Sequence, residues 1–418
     1  SKDIIKKIGE YKVADIFFHD QYGRFYGYNS LLPLLGFVDI DMHGLAGLEF
    51  AYDKDLFYAD KRLSLSRFGG EKSVYFPEHD EKNKTLHLTI DGSLSQSIVC
   101  ILENVVKKYQ SEYASALVLN GRTGEIISVV QYPFYNKKDC TDIAFSKPLA
   151  ITNAYELGSV FKAFSMLAAF AEKAVDENEL IDCKGAKSAY VNGVKINTHK
   201  AASIIPFYQI IQESNNIGIA QVAMRIGKKL YDHYTRLGFG KKLDMNYPGQ
   251  AIGSITHPKT WSKQSIFSLS YGYEVSASLL QLVVAWSVFV NNGKKVTPTF
   301  FFQKNRETAP LYDIDTIITC KRILEYEKSK LPKKYHAILD TYKMYGKTGT
   351  ANILQNGVYD NTQNTYCFIG SLENDNAAFI IGVYVRNSNK KNLYGSMVAL
   401  PLFLEIAQLI VARSYKLI

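Results

Sequence analysis

Three short strings constrain this chain more than anything else in it: Ser159-Val160-Phe161-Lys162, Ser214-Asn215-Asn216 and Lys347-Thr348-Gly349-Thr350. Each carries one part of a serine acyl-transfer site. A fold that uses all three must bring together segments that lie far apart in sequence. That needs a packed core, and 418 residues are enough for two or three domains and at least one large core.

Ser159 and Lys162 are three residues apart, a spacing that puts both side chains on one helical face. Apolar residues at helical spacing (Val160, Phe161, Phe164, Leu167, Ala168, Ala171) predict a helix from Gly158 to about Val175, with Ser159 near its start. Free N–H groups and partial positive charge at a helix N-terminus favour an anionic intermediate. A serine hydroxyl is a poor nucleophile without a base. Lysine serves as that base when burial or a nearby cation lowers its pKa. Taken singly, Ser159 also reads as an ordinary helix cap, and Ser388-Asn389-Lys390-Lys391 matches the same pattern in a polar loop.

In the second string, a second hydroxyl, Ser214, can relay a proton to a leaving amine. The Asn216 amide can hold a substrate peptide group and position the lysine. Ser and Asn are also good caps for the helix predicted from Ser214 to about Arg225. The third string sits in a strand pattern. Lys347 and the hydroxyls of Thr348 and Thr350 can bind a carboxylate. Gly349 leaves room for a substrate backbone along the strand edge, or else marks a bulge in a surface strand. A backbone N–H here, with that of Ser159, could form an oxyanion hole, where one donor is worth roughly 3–4 kcal/mol in the transition state. Three signals that agree on order and context outweigh the ordinary explanation of each.

Residues 1 to about 60 are rich in Gly and aromatics, with strand-like pieces. Residues 61 to about 84 are polar, contain Gly69-Gly70, and read as a connector or exposed hairpin. A larger domain then opens with the alternation Leu86–Asp91 and a helix to about Lys108. Ser115–Leu119 and Ile126–Val130 flank a turn signal at Asn120–Glu125. Leu279 to Val290 reads as helix. Tyr345–Leu354, Tyr366–Leu372 and Ala377–Val385 read as strands, with Asn356-Gly357 in the loop after the first. An apolar helix from Val398 to about Arg413 closes the chain. Strands at both ends of a domain with a helical middle predict an α+β fold with a mostly antiparallel sheet.

The net charge is +9, dispersed as Lys pairs such as Lys107-Lys108, Lys137-Lys138 and Lys390-Lys391, so no nucleic-acid arm is expected. The five cysteines (Cys100, Cys140, Cys183, Cys320, Cys367) show no metal-binding spacing, and an odd count leaves at least one thiol free. No run of about 18 consecutive apolar residues suggests a membrane span. Because residue 1 is Ser rather than Met, we expect an N-terminal anchor ahead of it.

With these motifs in place, the chain resembles the class B penicillin-binding proteins, the monofunctional D,D-transpeptidases of peptidoglycan. Asn120–Pro133 (NGRTGEIISVVQYP) is similar to the family's T-G-E-I-L-A-M hairpin. Ser214–Gly240 resembles its helix from S-S-N to the F-G-F-G turn. Gly272–Gln281 with Asn291-Asn292-Gly293 resembles G-Y-G…V-T-P-L-Q…A-N-G-G, and Ala399–Phe403 its A-P-V-F helix. At the front, Asp20-Gln21-Tyr22-Gly23 stands where the family has D-R-N-G, and Gly44–Leu56 resembles its G-x-A-G-L-E pedestal segment.

The resemblance implies the penicillin-binding transpeptidase fold: a five-stranded, mostly antiparallel sheet flanked by helices in residues 85–418, with residues 1–84 as a small pedestal and connector. It implies Ser159 as nucleophile, Lys162 as base, Ser214 as proton relay, Asn216 holding the substrate amide, and Lys347 keeping the site cationic. Thr348 and Thr350 would bind the terminal carboxylate beside Gly349, and the N–H groups of Ser159 and Thr350 would form the oxyanion hole. Substrates would be peptidoglycan stem peptides, with β-lactams as inhibitors; no metal or nucleotide is implied. Partners would be a membrane glycan polymerase and division or elongation proteins. The catalytic domain would face the periplasm from the inner membrane, and the short pedestal points to the septal type. Departures are Leu157 for the usual Pro, Glu274, Ser278 and Leu279 for Gly, Thr and Pro, and Ala14-Asp15 where the family has Arg. Other readings of the same motifs are a β-lactamase, a D,D-carboxypeptidase, or a non-catalytic penicillin-binding scaffold.

Overall fold

Helix α1, Gly92–Tyr109, begins where Asp91 accepts a hydrogen bond from the Leu94 N–H at 2.7 Å. It ends where Gln110 turns left-handed (φ 51°). Leu94, Ile98, Leu102 and Val105 form its buried stripe. Strands β1 (Tyr113–Asn120) and β2 (Ile126–Tyr132) follow as a hairpin. The middle of the chain is largely helical, with α2 (Lys162–Ala171), α3 (Asn216–Ile226) and α4 (Leu279–Val290). Strands β3 (Lys343–Gln355), β4 (Val358–Glu373) and β5 (Ala378–Arg386) come next, and α5 (Gly395–Ser414) closes the chain. The computed structural model describes residues 23–57, 66–68, 71–73, 85–135, 142–302, 308–355, 358–388, 390 and 392–414.

The five strands form one sheet in the order β3-β4-β5-β1-β2, every neighbouring pair antiparallel. The last three strands of the chain therefore pair onto the first two, and β3, which carries Lys347–Thr350, lies at an edge. Strand alternation gives the sheet two apolar faces. Ala116, Val118, Phe368, Ile381 and Val383 face α1 and α5. Leu117, Leu119, Ile369 and Ile380 face α2 and α4. All twelve residues of α4 are buried, so it runs as a fully enclosed helix between the sheet and α2. Each large side chain taken fully out of water here contributes about 1.5–3 kcal/mol.

Several expectations change in detail. Leu86–Asp91 forms no strand; only a bridge from Leu88 to Phe301 remains of it. The described front residues 23–57 are short helices (Leu32–Leu35, Gly47–Ala51, Asp53–Leu56) rather than strands, with one bridge between Val38 and Gly44. Their Leu34 and Leu48 join the same apolar cluster as α2 and α4. The hairpin reading of the connector holds for its backbone, where Ser66–Phe68 pairs antiparallel with Glu71–Ser73. Helix α5 is long and apolar enough to cross a membrane, yet over half of that stretch is buried inside the protein, as in a core helix. Ala14-Asp15, Asp20-Gln21-Tyr22, most of the connector, Lys137-Lys138, Cys140, Asn356-Gly357, Asn389 and Lys391 lie outside the described residues. Among the described cysteines all are free, Cys100 exposed and Cys183, Cys320 and Cys367 buried.

Candidate active site

The segment from Gly158 to Phe161 is a single 3-10 turn that leads directly into α2, so Ser159 stands at a helix entrance and Lys162 is the first α2 residue. The turn is clamped by contacts that only glycine permits. Gly158 has φ +61°, and a Cβ there would lie 2.4 Å from the Thr350 carbonyl oxygen. A Cβ on Gly349 would lie 2.4 Å from the Leu157 carbonyl oxygen. Gly349 therefore lets β3 close on the nucleophile turn. That corrects the expectation that it makes room for substrate or a bulge, since the β3 irregularity falls at Asn352/Ile353.

Asn215 caps α3 by accepting the Gly218 N–H at 2.9 Å, so the helix starts at Asn216 rather than Ser214. Ser214 stands before the helix in a left-handed conformation (φ 60°). That twist turns both its carbonyl and its hydroxyl toward Lys162. The Lys162 ammonium donates to Ser159 Oγ (3.0 Å), Ser214 Oγ (3.0 Å), Ser214 O (2.6 Å) and Asn216 Oδ1 (2.6 Å). Lys347 Nζ donates to the same Ser214 Oγ at 3.1 Å and to Thr348 O at 3.4 Å. Asn216 Nδ2 donates to Asn197 O at 2.7 Å, and its N–H donates to Thr198 Oγ1 at 3.2 Å.

Lys162 is fully buried and Lys347 nearly so. Among the described residues neither forms an ion pair. Burial, and after it the Lys347 charge, holds Lys162 well below the ordinary lysine range. Burial pushes Lys347 down to about 8. The arrangement sets an amine whose protonation is opposed by burial against a half-buried serine, with a second hydroxyl linking it to Lys347, and among the described residues no carboxylate pairs with either lysine.

A cavity of about 670 Å³ opens beside this cluster, lined by Asn216 and Thr350 together with Asn197, His199, Tyr273 and Tyr394. Thr350 Oγ1 accepts the Gly395 N–H at 2.9 Å, which ties β3 to the start of α5. Thr348 lines a separate hollow of about 310 Å³ with Lys347, Glu213 and Tyr326. So the structure gathers Ser159, Lys162, Ser214, Asn216 and Lys347 by direct hydrogen bonds. Gly349 and Thr350 join them through the strand, while Thr348 faces a neighbouring hollow.

Sequence reasoning missed the wall around this site. Glu156 Oε1 accepts the Glu274 N–H at 2.8 Å and the Tyr359 hydroxyl at 3.1 Å. Burial raises its carboxyl above the ordinary range, and its Oε2 is buried without a partner among the described residues. Tyr359 meets Tyr273 edge-on at 5.0 Å, and Tyr273 Oη accepts the Asn352 N–H at 3.3 Å. Glu156 thus joins the nucleophile turn, the Gly272–Glu274 turn and the β3–β4 hairpin. Glu274, one of the departures noted above, holds φ 56°, the left-handed region its usual glycine adopts freely. His199 was also missed, because a lone His in a polar segment carries no pattern. Among the described residues no group of three or more His, Cys, Asp or Glu is placed to hold a metal.

The family model described as the penicillin binding protein transpeptidase domain matches residues 114–408. The chain is 27% identical over 395 residues to the probable peptidoglycan D,D-transpeptidase PbpC of Pseudomonas aeruginosa, covering 92% of this chain and 70% of that protein. It is also 27% identical over 432 residues to the peptidoglycan D,D-transpeptidase FtsI of Buchnera aphidicola, covering 97% and 73%. Among solved structures, penicillin binding protein 3 of Mycobacterium tuberculosis superposes with a TM-score of 0.77 at 22% identity over 94% of this chain and 90% of that one. The same Mycobacterium protein has been solved in complex with aztreonam and with ampicillin. At that identity the likeness speaks for the fold, a sheet flanked by helices with the three motifs converging at one edge.

Proposed function

The chain belongs to the penicillin-binding protein transpeptidase family, and from that premise we propose that it cross-links peptidoglycan stem peptides through an acyl-enzyme on Ser159. Neutral Lys162 takes the Ser159 proton as Oγ attacks the carbonyl of the penultimate D-Ala. The oxyanion is held by the N–H groups of Ser159 and Thr350. The proton passes from Lys162 across Ser214 to the departing D-Ala nitrogen. Asn216 holds the substrate amide, while Lys347 and Thr350 hold the terminal carboxylate; Thr348, expected to share that role, faces the neighbouring hollow instead. The amine of a neighbouring stem peptide then displaces Ser159. β-Lactams acylate the same oxygen, because their strained amide takes the place of the D-Ala–D-Ala bond.

One observation carries this reading: Lys162 Nζ lies 3.0 Å from both Ser159 Oγ and Ser214 Oγ, buried and without an acidic partner among the described residues. Base, nucleophile and relay are thus in contact in the free protein. The lining of the cavity contains no Asp or Glu among the described residues. A deacylating water would find no carboxylate there, which favours the transpeptidase over the β-lactamase alternative. Residues 85–418 form the catalytic domain in this reading, and residues 1–84 a pedestal that extends from a membrane anchor. The catalytic domain faces outward from the cytoplasmic membrane, and a membrane glycan polymerase is the fitting partner, because cross-linking acts on strands as they are made.

Intact-protein mass spectrometry after incubation with a penicillin tests the function, beside a Ser159→Ala control. The expected result is a lasting mass increase equal to the drug, absent in the control. Drug consumption without a lasting adduct would favour the β-lactamase, and an unconsumed drug without adduct would favour the scaffold.

A further inference from the structure

The acceptor half of the reaction brings a second proton that a base must remove, besides the Ser159 proton that Lys162 takes in the donor half. When a neutral amine attacks the acyl-enzyme carbonyl, its nitrogen becomes positively charged and must lose a proton before the new amide is stable. General bases suit this step when they are neutral and titrate near the working pH.

One imidazole lines the cavity that an acceptor would enter. His199 follows Asn197 and Thr198, the two residues that grip Asn216. Its ring meets the Tyr394 ring edge-on with centroids 5.1 Å apart. Tyr394 in turn precedes Gly395, whose N–H is bonded to Thr350 Oγ1. His199 is therefore placed from both sides, by the Ser214–Asn216 motif and by the end of the Lys347–Thr350 motif. It lines the cavity that Asn216 and Thr350 also line. Neither ring nitrogen has a hydrogen-bond partner among the described residues. Lys187, and Lys162 whenever it is charged, act on it; Lys195 and Lys390 line the same cavity, and no carboxylate lines it among the described residues. The imidazole is exposed toward the cavity, and desolvation by its neighbours, then Lys162, then Lys187, lowers its pKa below the ordinary value, so it is neutral, with a free lone pair, at neutral pH.

We propose that His199 is the general base for the acceptor amine. This rests on the transpeptidase reading above. The acceptor nitrogen forms its bond to the acyl carbon, and a His199 ring nitrogen takes one of its protons. The C–Oγ bond to Ser159 then breaks. Lys162, protonated first along the hydrogen bonds from Lys347 through Ser214, gives that proton to Oγ. Solvent removes the proton from the imidazolium and restores that of Lys347, so a neutral amine and the acyl-enzyme give an amide and free Ser159.

The test compares the two half-reactions in the full chain. Acylation is followed with benzylpenicillin. Acyl transfer is followed with an N-acyl-D-alanyl thioester, partitioning between water and added glycine, an amine other than the donor's own leaving group. Wild type, His199→Gln and His199→Gly are compared across pH. We expect His199→Gln to lower the aminolysis-to-hydrolysis ratio on the order of 100-fold more than it lowers acylation. The wild-type ratio should fall only at pH below the ordinary histidine range, because the pKa of this imidazole is lowered, an inflection absent in the variant. Added imidazole should restore aminolysis to His199→Gly. An unchanged partition ratio, or an equal loss of acylation and aminolysis, would overturn the proposal in favour of a merely structural contact. A wild-type protein that takes up no penicillin would instead overturn the transpeptidase reading on which the proposal stands.

Discussion

Lys162 and Lys347 share one serine hydroxyl, and the proposed mechanism asks for opposite protonation states of the two. Lys162 must be neutral to accept a proton, and its neutral fraction grows as pH rises. Lys347 must stay charged to hold a carboxylate and to keep Lys162 depressed, and burial has brought it down to about 8. Acylation should therefore follow a bell, rising with pH through the depressed Lys162 titration and falling above about 8. The two apparent values belong to the coupled pair. Lys347→Arg should remove the alkaline limb, because guanidinium stays charged; second-order penicillin acylation rates from pH 5 to 10 check this. Gly349 acts at the same scale. A methyl there meets the Leu157 carbonyl at 2.4 Å, so Gly349→Ala should push the nucleophile turn off the strand. We expect acylation to fall on the order of 100-fold and stability by about 1–3 kcal/mol, read by penicillin labelling and denaturant unfolding.

Among the elements, α4 shows how one residue organises several loops. Ser278 caps it, and Gln281 answers with a side-chain bond to the Ser278 N–H at 2.9 Å, a reciprocal capping box. The same Gln281 amide nitrogen donates to the carbonyls of Gly238 (3.3 Å), Lys241 (2.9 Å) and Ile252 (2.8 Å). Ser278→Ala should cost about 1 kcal/mol, the usual loss of a cap. Gln281→Ala leaves several buried groups unpaired and should cost about 3 kcal/mol. Denaturant midpoints of the two variants decide it, and equal losses would show that the loop carbonyls contribute nothing. Ser278 stands where the resemblance implied Thr, and since either hydroxyl caps a helix, that departure leaves the element intact.

At the scale of the molecule, the front segment and the catalytic body share one core. Leu34 and Leu48 are buried with Phe300 and Tyr247 in the cluster that also holds α2 and α4. The Tyr247 hydroxyl donates to the carbonyl of Leu34 at 3.1 Å. Removal of residues 1–84 should therefore lower the Tm of the remainder measurably rather than leave it unchanged, since the apolar surface that Leu34 and Leu48 cover would be exposed to water at a cost on the order of 3 kcal/mol. An unchanged Tm would show that the segment is a passive pedestal.

Much of this was readable from the chain. The period of the apolar residues fixed α4, placed β3 and β5 within a few residues and found only the second half of β4, which begins at Val358, and the residue types at Ser159, Lys162, Ser214, Asn216 and Lys347 named the groups that the structure gathers. Local pattern suffices for these, because helix and strand periods and acid–base roles belong to the residues themselves. What only the tertiary structure decided is how segments meet. Leu86–Asp91 alternates like a strand, yet β1 already pairs with β2 and β5, so it keeps a single bridge. The left-handed turn at Ser214, the reason for Gly349, and the linkage of Glu156, Glu274 and Tyr359 all depend on contacts between residues remote in sequence. His199 acquires significance only beside Asn216 and Tyr394. Sequence determined which groups were available and which elements they ride on. Tertiary packing decided their distances and their dielectric surroundings, and those set which lysine is neutral and which serine is attacked from.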